Sequence, residues 1–149
     1  MQLIESKLDY RTTWYLPDVY LFTGNPVRKT NGAIVMGRGA AKEVRDTYPG
    51  IDLVYGNMIQ NKPNAHLLWA TPGNHKDQWL GWFKVKHHWN NFANLNLIEE
   101  STKQLSNLAA SHTDMTFHIN YPGIGNGALT EHEVGHIIHF LPNNVRVYR

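Results

Sequence analysis

Thr30-Asn31-Gly32-Ala33-Ile34-Val35-Met36-Gly37-Arg38-Gly39 is a glycine-punctuated loop that opens directly into a helical pattern from Arg38 to Tyr48. Pro49-Gly50 stops that helix. Glycine lets backbone N–H groups turn toward an anion, and a helix N-terminus adds partial positive charge at the same place. A second loop of this kind, Tyr121-Pro122-Gly123-Ile124-Gly125-Asn126-Gly127-Ala128, lies between a strand pattern and a helix pattern. Neither loop carries the Gly-Lys-Ser/Thr ending of a Walker A motif. Open α/β sheets take ligands at the carboxyl ends of their strands. Two such loops in one short chain therefore point to a diphosphate clamped from both sides.

Working outward, alternation and β-branched or aromatic content predict strands near Met1–Glu5, Asp18–Thr23, Ala65–Thr71, Trp82–Val85, Met115–Asn120 and Val145–Tyr148. Two further helices are predicted. One runs from Asn94 to Ser111, with Leu97, Ile98, Leu105, Leu108 and Ala109 on one face. The other runs from Thr130 to Leu141 and is stopped by Pro142. Strands alternating with helices define an α/β fold with crossover connections around one central sheet. No repeat, low-complexity stretch or linker divides the 149 residues, which matches the usual size of one domain spanning 1–149.

Composition narrows the function. The absence of cysteine excludes a disulfide framework, a thiolate metal site and a cysteine nucleophile. No apolar stretch approaches the roughly 20 residues that cross a bilayer, and Met1-Gln2-Leu3-Ile4-Glu5 has no signal-peptide character. The expectation is a cytoplasmic protein with no membrane partner. The 14 Lys and Arg against 12 Asp and Glu are scattered, so no dedicated nucleic-acid-binding surface is expected. With only 17% charged residues, the chain relies instead on 9 His, 5 Trp and 7 Tyr. Such side chains read uncharged polar ligands by hydrogen bonding and stacking, which suits a small-molecule or nucleotide site.

His132-Glu133-Val134-Gly135-His136 matches the H-E-x-x-H pattern of zinc hydrolases. A catalytic zinc needs a third protein ligand. Only 13 residues follow His136, and none is Asp or Glu. Thr130-x-x-Glu133 also reads as a capping box, which gives Glu133 a structural task. On a helical wheel Val134, Ile137, Ile138 and Leu141 form one apolar stripe, with His132, His136 and His139 on the opposite side. No metal site is therefore expected, and a zinc hydrolase is the distant alternative.

Taken in order, these segments resemble the macrodomain family of ADP-ribose-binding proteins. Asn31-Gly32-Ala33-Ile34-Val35-Met36-Gly37-Arg38-Gly39-Ala40-Ala41 is similar to the family's first ligand loop. Phe83-Lys84-Val85-Lys86-His87-His88-Trp89 is similar to the Lys-x-His-Trp segment of one branch, and Leu97-Ile98-Glu99-Glu100-Ser101 to the helix start that follows it. Pro122-Gly123-Ile124-Gly125-Asn126-Gly127 resembles the diphosphate loop. That branch contains antitoxins that reverse ADP-ribosylation of DNA and related de-ADP-ribosylating hydrolases.

The resemblance implies a three-layer α/β/α sandwich with a central mixed sheet and a cleft for ADP-ribose. It implies Lys86 as the catalytic residue at the anomeric carbon of the distal ribose, with Asn31 near that ribose and His88 orienting the Lys86 segment. Val35, Met36, Gly37, Arg38 and Gly39 would close over the ligand. Gly123, Ile124, Gly125, Asn126, Gly127 and Ala128 would hold the diphosphate, and Asp9 would contact adenine. Ala128-Leu129-Thr130 stands where some relatives carry an acidic residue. The implied activity is hydrolytic removal of ADP-ribose from a modified macromolecule (DNA, RNA or protein), by a monomer without a cofactor. The alternatives are a non-catalytic binder of ADP-ribose or a related nucleotide metabolite, and a phosphatase acting on ADP-ribose 1''-phosphate.

Overall fold

The structure is a computed structural model that describes residues 1–11, 18–72 and 78–149. Six strands form one sheet: β1 (Gln2–Ile4), β2 (Val19–Gly24), β3 (Leu67–Ala70), β4 (Trp79–Lys84), β5 (Phe117–Asn120) and β6 (Val145–Tyr148). Their spatial order is β1-β6-β5-β2-β4-β3, parallel throughout except for β3, which pairs antiparallel with β4 at the edge. Among the described residues four helices flank the sheet: α1 (Gly39–Thr47), α2 (Ile51–Asn61), α3 (Leu95–Ser111) and α4 (Glu131–Ile138).

Strand alternation builds two cores, one on each face. Leu21, Phe83, Phe117, Ile119, Val145 and Val147 point to one side and meet α3 through Ile98, Leu105 and Ala109, and α4 through Val134 and Ile138. Phe22, Leu68, Leu80 and Trp82 point to the other side and meet α1 through Val44, and α2 through Ile51, Tyr55 and Ile59. The result is the expected α/β/α sandwich with a mixed sheet. Among the described residues no helix is long and apolar enough to cross a membrane.

The three predicted helices are present with their ends explained. Arg38 and Tyr48 are the caps of α1 rather than members of it. Asn94 caps α3, its side chain accepting from the Leu97 N–H at 3.2 Å. Thr130 and Glu133 form the capping box of α4, each accepting from the other's backbone N–H. That helix ends at Ile138, three residues short of the expected Leu141. Strand β4 begins at Trp79, ahead of the expected Trp82.

Helix α2 is not among the helices predicted from the sequence. Pro49-Gly50 does end α1, but Gly50, at φ 92°, turns the chain so that a second helix starts at once. Its buried stripe, Ile51, Tyr55 and Ile59, has four-residue spacing. Gly56 and the lack of a side-chain cap hide that pattern, since glycine weakens a helix by about 1 kcal/mol. Gly56 is required by packing: a Cβ there would lie 1.8 Å from the Gly32 carbonyl oxygen. Helix α2 thereby seats the hairpin bridged at Arg28 and Ile34, which also gains Ile34 N–H to Asp52 O (3.1 Å) and Arg28 to Gln60 (3.3 Å).

A largely buried charge opposes stability. Lys84, at the end of β4, is 6% exposed, yet its ammonium has no hydrogen bond or ion pair among the described residues. Burial holds its pKa below the ordinary lysine value. Lys84→Met, with an apolar chain of similar length, is expected to stabilise the fold by about 1 kcal/mol or more near neutral pH. Because the folded-state pKa is the lower one, the unfolded state binds more protons between the two values. Wild-type stability therefore rises as pH climbs through that window, and the contribution vanishes in the variant. Urea unfolding at pH 7 and near pH 10 checks both; an equal or lower stability at pH 7 contradicts the assignment.

Candidate functional site

The parallel strands β2, β4 and β5 end side by side, and the chain leaving each end contributes to one cavity of about 690 Å³. Strand β2 delivers Thr23, Gly24 and Asn25; β4 delivers Val85 and Lys86; β5 delivers Asn120 and the glycine loop. The opposite wall is the start of α1, where Gly37, Arg38, Gly39, Ala40 and Ala41 line the space. This is the carboxyl-end crevice that an open α/β sheet offers to a ligand.

Both glycine loops predicted to hold an anion reach the cavity. Arg38 caps α1 without a side-chain hydrogen bond, so the first N–H groups of that helix keep their donor capacity. In the second loop Gly123 and Gly125 have φ of 82° and 67°, and residues 125–127 form a short 3-10 turn. A Cβ on Gly123 would lie 2.7 Å from Ile98 Cδ1, so the positive φ and the close approach to α3 both demand glycine there. The loops nearly touch: a Cβ on Gly39 would lie 3.1 Å from Asn126 Nδ2.

Lys86 is half-buried between them, its ammonium donating to the Asn126 carbonyl at 3.5 Å. Burial first, and the Arg38 guanidinium second, lower its pKa. A lysine so placed has a larger neutral fraction at working pH, which is what a lysine nucleophile needs. Among the described residues the charged side chains lining the cavity are Lys29, Arg38 and Lys86, and no carboxylate does so. Glu131, the acid nearest the second loop in sequence, instead pairs with Arg149 at 3.0 Å.

Of the residues named from sequence, Lys86, Val35, Gly37, Arg38 and Gly39 line the cavity, together with Gly123, Ile124, Gly125, Asn126 and Gly127. The others are placed elsewhere. Asn31 turns its side chain onto the Ala33 N–H at 3.1 Å, closing the hairpin tip outside the lining. Met36 is buried in the core against the α1 and α2 residues. His88 is exposed, its Nδ1 accepting from the Asn90 N–H at 3.1 Å. Asp9 is tied to Arg11 by backbone and side-chain bonds of 2.9 and 3.1 Å. Ala128 takes the left-handed φ of 62° that ends the 3-10 turn.

Four polar residues of the lining, Thr23, Asn25, Lys29 and Asn120, were missed. Asn25 is 7% exposed and spans the first loop, accepting from the Val27 N–H at 3.0 Å and donating to Val35 O at 3.5 Å. Asn120 is fixed from both ends: Oδ1 accepts from the Tyr10 hydroxyl at 2.7 Å and Nδ2 donates to Thr23 at 3.4 Å. Lys29 joins them from the hairpin. The signal for both asparagines was available, since each stands at or just past the carboxyl end of a predicted parallel strand. Trp89 also lines the cavity and is 43% exposed, so it is a rim residue and not a core one.

The H-E-x-x-H segment lies elsewhere. Its Glu133 carboxylate is engaged in the cap of α4, and among the described residues no three His, Cys, Asp or Glu side chains converge as metal ligands.

No protein-family model and no curated protein matches the chain. Solved structures do. The macrodomain of Mycobacterium tuberculosis DarG superposes with a TM-score of 0.76 over 99% of this chain and 97% of that one, at 19% identity. The macrodomain of Thermus aquaticus DarG gives 0.76 over 99% and 95%, at 20% identity. Thermosipho africanus DarTG in complex with ADP-ribose gives 0.72 over 87% of this chain, at 19% identity. This chain spans only 37% of that protein's length.

Proposed function

From the premise that the fold is that of the macrodomains, we propose that the cleft binds ADP-ribose and that the protein is a hydrolase releasing it from a modified macromolecule. The observation that carries this reading is Lys86: a partly desolvated amine, its pKa lowered, held against the glycine loop of a cleft whose charged lining, among the described residues, is cationic. In this reading the N–H groups of residues 123–127 and of the start of α1 take the diphosphate. Asn25 and Asn120, set at the strand ends, supply fixed amides to the ribose hydroxyls in the place first given to Asn31.

The neutral Lys86 amine attacks the anomeric carbon of the distal ribose. The bond to the carrier breaks, its electron pair leaves with the carrier atom, and a proton reaches that atom from the new ammonium or from water. Water then displaces the lysine and yields free ADP-ribose. With no carboxylate among the described lining residues, leaving-group protonation in this reading rests on Lys86 itself and on solvent. His88 holds the turn of residues 88–91 through its bond to Asn90 and acts, in this reading, on the position of the Lys86 segment.

A lining without a carboxylate among the described residues also favours a second reading, a binder that sequesters ADP-ribose without cleaving it. A phosphatase acting on ADP-ribose 1''-phosphate would use the same cleft. Product analysis separates the three. Offered ADP-ribosylated DNA, ADP-ribosylated protein and ADP-ribose 1''-phosphate, the protein is expected to release ADP-ribose from a macromolecular conjugate and no inorganic phosphate. Phosphate release assigns the phosphatase, and tight ADP-ribose binding without turnover of any substrate assigns the binder.

A further inference from the structure

The outward face of α4 has no part in the cleft and an unusual composition. Val134 and Ile138 bury the inner face, while His132, His136, His139 and Phe140 are exposed on the other side. The His132 and His136 rings stand one helical turn apart with centroids 4.8 Å from each other. Neither ring makes a hydrogen bond among the described residues, so both are free to rotate about their side-chain bonds. The capping box and the two buried aliphatics hold the backbone beneath them.

Two imidazoles at this spacing can close on one ion. Zinc binds histidine nitrogen at about 2.0–2.1 Å in a tetrahedron, which puts two ligand nitrogens a little over 3 Å apart. That separation is within reach of rings already 4.8 Å apart. Among the described residues no third side chain joins the pair as a ligand. Glu133 is committed to the cap, Glu131 to Arg149, and the Nδ1 of His139 lies 3.2 Å from the Gly135 carbonyl. Half of the coordination sphere is left open, and a two-fold axis would supply the other half with an identical pair.

Phe140 adds an independent reason for a covered face. It is 76% exposed beside His139, with ring centroids 3.8 Å apart. An aromatic ring left in water at the end of a histidine face is what an isologous contact around the metal would bury. We propose that His132 and His136 form a half-site for a nitrogen-preferring divalent ion such as Zn²⁺, completed by the same two residues of a second copy of this chain. The metal-bridged dimer uses four histidines and leaves the cleft open.

The test is the mass in solution of protein carrying no histidine tag, with zinc chloride added to half the chain concentration and then removed with EDTA. The expected result is a shift from the 17.1 kDa chain to twice that mass, saturating at one zinc per two chains and reversing with chelator. His132→Ala and His136→Ala each abolish the shift, His139→Ala retains it, and Phe140→Ser weakens it. All four are surface changes, so melting temperature and ADP-ribose binding stay at wild-type values. A chain that stays monomeric with zinc, or binds one zinc per monomer, overturns the proposal. So does a zinc-dependent dimer that persists in the His132→Ala, His136→Ala double variant.

Discussion

Lys86→Ala is expected to lower the rate of ADP-ribose release by at least about 100-fold while changing ADP-ribose affinity less than tenfold. The asymmetry follows from geometry. The ammonium lies at the Asn126 carbonyl on the cleft wall, whereas the diphosphate in this account is held by backbone N–H groups that the substitution leaves untouched. In kinetic terms kcat falls and KM stays nearly constant, as for a group that acts in the transition state. The pH profile carries a second signature. Activity should rise with pH up to the lowered pKa of Lys86, because the neutral amine is the attacking species. Arg38→Gln removes a positive charge that opposes the ammonium, so it moves that limb to higher pH. A Lys86→Ala variant that releases ADP-ribose at the wild-type rate removes lysine from the chemistry.

The second large effect concerns architecture. Gly56→Ala in the middle of a helix ordinarily stabilises by about 1 kcal/mol. Here it is expected to destabilise by about 3 kcal/mol or more, a fall in Tm of roughly 6–12 °C. The added methyl would sit 1.8 Å from the Gly32 oxygen and 2.9 Å from its carbonyl carbon, and backbone cannot swing aside as a side chain can. Either α2 lifts off the sheet or the hairpin lifts off α2. The hairpin carries Lys29 into the cavity and leads to Val35, so ligand affinity falls with stability. Gly37→Ala is the control: no atom lies within 4 Å of its Cβ position, and stability should change by less than about 0.5 kcal/mol. Thermal unfolding of the two variants beside wild type reads the contrast.

Much of this was legible from residues, and the parts that were not share a cause. The capping box at Thr130 and Glu133, the Asn94 cap and the apolar stripe of α3 are local patterns, and the structure repeats them. Both glycine loops were also local, and they form the two walls of the cleft. Helix α2 was hidden because its central glycine reads as a helix weakener until Gly32, far away in sequence, is seen pressed against it. Asn31 and Asn25 show the same difficulty in the site. Both precede the glycines of the first loop, but only the strand end fixes which one faces the cavity, and Asn31 satisfies its own hairpin tip. His118 and Asp18, 100 residues apart and 2.9 Å from each other, pair inside the fold without any sequence signal.

The comparison structures set the fold, and the lining of the cleft sets the chemistry proposed for it. The zero cysteine count removes a thiol from that lining, and the nucleophile proposed for it is Lys86, the amine held against the glycine loop. The small net charge of +2 fits a site where, in this account, the ligand's negative charge falls on backbone N–H groups beside Lys29 and Arg38.

Isothermal titration of the purified protein with free ADP-ribose tests the central claim most directly, because every reading of the cleft depends on that complex. Saturable one-to-one binding with a Kd of about 10 µM or tighter, near 7 kcal/mol, is predicted. No heat and no saturation at roughly millimolar ADP-ribose would contradict the assignment of the cleft.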